Sequence, residues 1–250
     1  MSRHLPLFLI GVGSLVAVAA SFAAAPPEAP APPQSKEERE AAGDRRRDAA
    51  GADFEKQGLV AGQQIPDLEV VTLEGKPTRL STLWREKPTL LVTASLTCGR
   101  ARERQPWVTE VAKKYADRLN VAVLYTLEAH PVGDPSPYAE YSPELENPEH
   151  PGERPGGNVH EGGFPRRQPI DLEGREQLAR EFRELFDFAG PVVVDSMSNQ
   201  GWEALGAGPN MGFLIDREGK VAVKHGWLDD ASMDRSIEYF LEQHGSAAPH

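Results

Sequence analysis

The 250-residue chain contains one cysteine, Cys98, and any thiol chemistry must begin there. A lone thiol forms no intramolecular disulfide, and exported proteins that use cysteine structurally carry an even number. Cys98 follows an apolar, β-branched run over residues 88–95 and precedes a stretch of helical spacing that reaches about Arg118. Unpaired amides and the macrodipole at a helix start favour an anion. This placement predicts a thiol pKa lowered from about 8.5 into the range of about 3.5 to 7.5. Arg100, Arg102 and Arg104 follow within two turns and push the same way. The competing reading is a buried, inert core cysteine, and a thiol pKa above about 8.5, measured by alkylation rate against pH, would sink the enzymatic readings.

Residues 121–127 form a second apolar run, so 88–127 reads as a βαβ unit with parallel strands. Parallel neighbours end on one edge of the sheet, where open α/β folds place their sites. Glu128 and His130 follow the second strand as Cys98 follows the first. Thiol, carboxylate and imidazole are therefore expected to converge. His130 is the candidate for proton transfer near neutral pH, with Glu128 orienting it. A plain surface-loop histidine is the alternative. Thr97 either offers its hydroxyl to the thiolate or fills space at a strand end. His150 and His160, with Glu149 and Glu161, match no zinc spacing, so no metal is expected. Trp84, Trp107, Trp202 and Trp227 suit a core or cleft wall. Phe164, Arg166 and Arg167 suit a solvated loop, with a lid over an acidic aromatic substrate as the alternative.

The elements that must position these residues occupy only part of the chain. Apolar residues make up 39% and charged residues 26%, enough for one domain with a sizeable core. The net charge of −11, with no basic run among aromatics, excludes nonspecific nucleic-acid binding. Arg3 and His4 precede an apolar run over 5–20, and Ser21-Phe22-Ala23 offers a cleavage site. Residues 1–23 therefore read as a signal peptide, giving an exported, periplasmic or extracellular protein. An uncleaved membrane anchor over residues 5–25 is the alternative. Residues 24–57, rich in Ala, Pro and charge, read as a disordered linker. The folded domain is expected over 58–246.

It opens with a hairpin, 68–73 and 77–80, around Glu74-Gly75-Lys76. Pro106 inside the first helical stretch should kink it or end its first turn. Residues 131–169 contain nine Pro and six Gly and read as an insertion loop. A helix over 171–188, a strand over 192–194 and a helical turn over 200–205 follow. A hairpin, 211–215 and 221–224, and a helix over 231–244 close the domain. Hairpin, βαβ unit and a final ββα unit around one mixed sheet, flanked by helices, make an α/β thioredoxin-like fold. Pro209 falls just before the last hairpin, where that plan places a cis-proline beside the reactive thiol.

The segment Tyr125-Thr126-Leu127-Glu128-Ala129-His130-Pro131 resembles the Tyr-Ile-x-Glu-Ala-His motif of the iodothyronine deiodinases. Thr97-Cys98 stands where that family has its Thr-(Sec or Cys) pair, and Leu205-Gly206-Ala207-Gly208-Pro209 is similar to its Tyr-Gly-Ala-x-Pro segment. The resemblance covers roughly residues 62–244 and is that of a Cys-containing, bacterial-type homologue. It implies a reductive dehalogenation site: Cys98 attacks the halogen, and Glu128 and His130 donate protons. Thr97, Pro209 and Arg100 lie in supporting positions. It also implies a small-molecule substrate such as a halogenated aromatic, no cofactor, and regeneration by an external thiol or a thioredoxin-like protein. The family has Pro-Pro-Phe after its nucleophile; this chain has Gly99-Arg100-Ala101. A generic one-Cys redoxin, peroxidase or monothiol exchanger, is the alternative, although its motifs are broken. Ser95 stands where a peroxiredoxin wants Thr, and Ala101 where a Cys-x-x-Cys pair needs its second thiol. A non-catalytic thioredoxin-fold binding module is the third reading.

Overall fold

The computed structural model describes residues 54–132, 134, 137 and 164–244. The chain divides into two units, Met1–Ala42 and Gly43–His250, and the described residues belong to the second. The expected signal segment, most of the linker and the middle of the 131–169 insertion lie outside the described residues, as do His150 and His160.

Seven strands form one sheet in the order β2-β1-β5-β4-β3-β6-β7. They are β1 (Glu69–Thr72), β2 (Pro77–Arg79), β3 (Thr89–Ala94), β4 (Asn120–Tyr125), β5 (Val192–Val194), β6 (Gly212–Ile215) and β7 (Val221–His225). β3, β4 and β5 are parallel; β1 runs antiparallel to both β2 and β5, and β6 to both β3 and β7. The helices are α1 (Gly99–Lys114), α2 (Leu172–Leu185), α3 (Gln200–Leu205) and α4 (Asp230–His244). A βαβ unit joined to a ββα unit across β4-β3-β6-β7 is the thioredoxin-like plan.

The side-chain period of two explains why the central strands read as unbroken apolar runs. Leu90, Val92 and Ala94 of β3 join Val121, Val123 and Tyr125 of β4 in a core that includes Val108 and Val111 of α1 and Ile237 and Phe240 of α4. Leu91 of β3 faces the other way, with Ala122, Leu124, Phe213 and Leu205. Both faces are covered, so neither strand shows a polar alternation.

Two details sharpen the sequence expectations. Of the two outcomes expected at Pro106, the helix does not end there: α1 runs through it, although proline has no amide to donate to the Arg102 carbonyl. The folded part also begins before Gly58. Phe54 is buried and stacks on Trp227 with ring centroids 5.5 Å apart. A Cβ on Gly226 would lie 2.3 Å from the Glu55 nitrogen, so only glycine admits this segment. Composition averaged over 24–57 hides the single aromatic that anchors its end. Phe54→Ala is expected to cost about 3 kcal/mol in thermal or denaturant unfolding, the usual cost of emptying a buried phenyl site. An unchanged unfolding midpoint would return the start of the domain to Gly58.

Candidate active site

Cys98 is the N-cap of α1. Its backbone is extended, φ −80° and ψ 107°, and its Sγ accepts from the Ala101 amide at 3.4 Å. Sulfur thus takes the place of the Ser or Asp oxygen that usually satisfies a first-turn amide. Because β3 and β4 are parallel and in register from Thr89 with Asn120 to Ala94 with Tyr125, the loops that leave them emerge side by side.

Those loops are joined by a polar clamp. The Glu128 carboxylate is fully buried and accepts from the Thr97 amide at 2.8 Å and from the Tyr125 hydroxyl. The Tyr125 hydroxyl in turn accepts from the Leu96 amide at 3.0 Å. In the other direction, the His130 amide donates to the Thr97 hydroxyl at 3.0 Å and the Ala129 amide to the Ser95 hydroxyl at 3.2 Å. Residues 95–98 are therefore fixed against 125–130. Thr97 acts as a tie between loops, its oxygen occupied by the His130 amide.

The structure brings Cys98, Thr97, Glu128 and His130 to one edge, as expected. Pro209 lies there too: Thr93, at the end of β3, donates through its hydroxyl to the Gly208 carbonyl and accepts from the Met211 amide, both at 2.8 Å. The described residues contain no cis peptide bond, so the expected cis-proline at 209 is corrected to trans. The Arg100 guanidinium pairs with Glu103 at 3.2 Å, and Arg104 pairs with Asp230 at 3.1 Å. What Arg100 gives the thiol is its amide. Arg166 pairs with Glu181 and Arg167 with Asp134, so both are engaged within the protein. Among the described residues no three His, Cys, Asp or Glu side chains gather as a metal site.

Sequence reasoning missed several participants. Gln168 accepts from the Glu128 amide at 3.0 Å and donates to its carbonyl at 2.6 Å, docking the end of the insertion on the site. Arg175 of α2 is buried, donates to the Ser196 carbonyl at 2.6 Å and to the Asn199 side chain at 2.9 Å, and acts electrostatically on Glu128. Neither residue stands in a recognisable motif.

The predicted low thiol pKa is overturned. Burial pushes the Cys98 thiol from its ordinary 9.0 up to about 11, and the Glu128 charge adds to this. The Ala101 and Arg100 amides and the Arg102 guanidinium pull the other way and lose. The helix terminus is present as expected, but Cys98 is only 2% exposed, and a thiolate stripped of water is unfavourable. Burial likewise raises the Glu128 carboxyl, against the donors Tyr125 and Thr97.

No family model matches the chain. The chain is similar to the thiol-disulfide oxidoreductase YkuV of Bacillus subtilis, 36% identical over 84 residues, 33% of this chain and 56% of that protein. The match thus spans little more than half of that relative. Among solved structures it is similar to the thioredoxin domain of a thiol-disulfide oxidoreductase from Bacteroides vulgatus, with TM-score 0.47 and 15% identity over 73% of this chain and 99% of that one. It is also similar to a thiol:disulfide interchange protein from Bacteroides sp., with TM-score 0.49 and 15% identity over 74% and 91%.

The raised thiol pKa has a thermodynamic consequence. The folded state holds the Cys98 proton more tightly than the unfolded chain does. Its contribution to stability is complete below about pH 9 and is lost as pH rises towards about 11. The expected loss is about 3 kcal/mol. Comparing unfolding free energies of the wild type and Cys98→Ala from pH 8 to 11 isolates it; parallel curves would contradict a thiol held protonated by burial.

Proposed function

We propose that the protein is a thioredoxin-fold oxidoreductase that works through one thiol, Cys98, and is restored by an external thiol. The observation that carries this reading is the position of Cys98: sole thiol, N-cap of α1, on the sheet edge where Glu128 and His130 also lie. The likeness to a thiol-disulfide oxidoreductase supports it over the matched residues. The thiol pKa raised to about 11 favours the inert-core reading for the closed site, so the enzymatic reading requires that the thiol be exposed to solvent or substrate before it reacts. In disulfide exchange the thiolate attacks one sulfur of a disulfide, the S–S bond breaks, and the second sulfur leaves as a thiolate. The mixed disulfide on Cys98 must be resolved from outside, because the chain has no second cysteine.

A finer reading, reductive dehalogenation, is supported by the buried Tyr125–Glu128 pair beside Thr97-Cys98. Here the thiolate attacks iodine of an iodinated aromatic, an S–I bond forms, and the C–I bond breaks. The carbon keeps the electron pair and takes a proton from the Glu128–His130 side of the site. Two external thiols then return Cys98 as the thiol, giving a disulfide, iodide and a proton.

The test measures, in the same preparation, reduction of a glutathione mixed disulfide and iodide release from an iodinated phenol, each with excess dithiothreitol. The expected outcome is Cys98-dependent turnover of at least one substrate, lost in Cys98→Ser. Iodide release favours dehalogenation, and disulfide reduction alone favours exchange. Equal rates for the wild type and Cys98→Ser with both substrates would overturn the enzymatic reading in favour of a binding module.

A further inference from the structure

Arg102 stands four residues beyond Cys98, on the same face of α1. Its Nη1 donates to the Leu96 carbonyl, so the side chain folds back over the start of the helix towards the loop that carries the thiol. The Phe164 ring covers the guanidinium, with Cζ 5.3 Å from the ring centroid. Phe164 begins the limb 164–168, which Gln168 fastens to the amide and carbonyl of Glu128. The position is held from both sides.

The guanidinium is nevertheless poorly compensated. Its partners are a neutral carbonyl and an aromatic face, and among the described residues it makes no ion pair, whereas Arg100 and Arg104 on the same helix each have a carboxylate. Burial disfavours its charge; Cys98, Glu103 and Glu128 are the groups that offset this. Glu103 is held by Arg100, and the Glu128 oxygens are taken by Thr97 and Tyr125. Of these groups, Cys98 alone is left without another partner for its charged form beyond first-turn amides. A half-buried cation with no carboxylate of its own is costly unless a charge appears beside it.

We propose that Arg102 is the positioning cation of the thiol chemistry: when Cys98 gives up its proton, the thiolate becomes the counter-ion that Arg102 otherwise lacks, and Phe164 holds the guanidinium in place for it. This rests on the single-thiol reading above and deepens it. It ties the insertion to the reaction, because the ring that fixes Arg102 comes from its returning limb. The charged groups facing the pair are Glu103 on α1, already neutralised by Arg100, and Glu128 at the end of β4, which opposes ionisation of Cys98.

The test is the pH dependence of Cys98 alkylation by iodoacetamide in the full chain, for the wild type, Arg102→Gln, Arg102→Lys and Arg104→Gln, with folding of each checked by circular dichroism. Arg102→Gln should move the midpoint up by about one unit, which is about tenfold less thiolate at any pH below it. Arg102→Lys, which keeps the charge, should fall between Arg102→Gln and the wild type, and Arg104→Gln should overlay the wild type. A midpoint that is unchanged or lowered in Arg102→Gln would overturn the proposal. So would a lysine variant whose midpoint rises by a full unit or more above the wild type, an arm that remains readable if Arg102→Gln does not fold. Alkylation reads the thiol without turnover. A shifted profile in a protein that turns over neither substrate sinks the single-thiol reading and not the role of Arg102; the converse result sinks only the latter.

Discussion

The site depends on one buried carboxylate. Glu128 has no solvent, so its oxygens must be satisfied by protein donors, and the donors it uses lie at the end of another element: the Thr97 amide and, through Tyr125, the Leu96 amide. An unsatisfied buried acceptor costs about 1–3 kcal/mol, more if charged, so the loop after β3 has little choice of path. That path sets the backbone of Cys98 and starts α1 at Gly99. Gln168 then adds the end of the insertion to the same residue, gripping the main chain of Glu128 from the other side.

The same packing explains why position alone does not make a reactive thiol. A helix N-terminus and a neighbouring guanidinium favour the thiolate, but both act on a sulfur from which water has been removed. Here desolvation is the larger effect, and it leaves Cys98 protonated. The thiol is poised in geometry and masked in ionisation. Reactivity then depends on exposure of the sulfur, and the limb 164–168 is joined to Arg102 by Phe164 and to Glu128 by Gln168.

Much of the fold was legible because it rests on local rules. The run 192–194 matched its strand, the Glu74-Gly75-Lys76 turn marked β1 and β2, and the apolar runs around Leu91 and Val123 gave the two parallel strands. The convergence of Cys98, Glu128 and His130 followed from parallel geometry. What was not legible depends on contacts between distant segments. Phe54 is held by Trp227, Arg100 turns to Glu103, and Gln168 reaches back to Glu128; none of these pairings leaves a pattern in the chain. The thiol pKa failed for a related reason. A helix start can be read from sequence, but the burial that outweighs it depends on the whole packed edge. Likewise Pro209 precedes the last hairpin, as read from the sequence, but its peptide is trans.

The most direct measurement of the central claim is the intact mass of the native protein after incubation with oxidised glutathione at mildly alkaline pH, followed by excess free thiol. A single glutathione adduct on Cys98, removed by the added thiol and absent in Cys98→Ser, is the result expected of a lone redox thiol that an external partner must restore. A native protein that stays unmodified while the denatured chain takes up the adduct would contradict it, leaving Cys98 as a buried core residue.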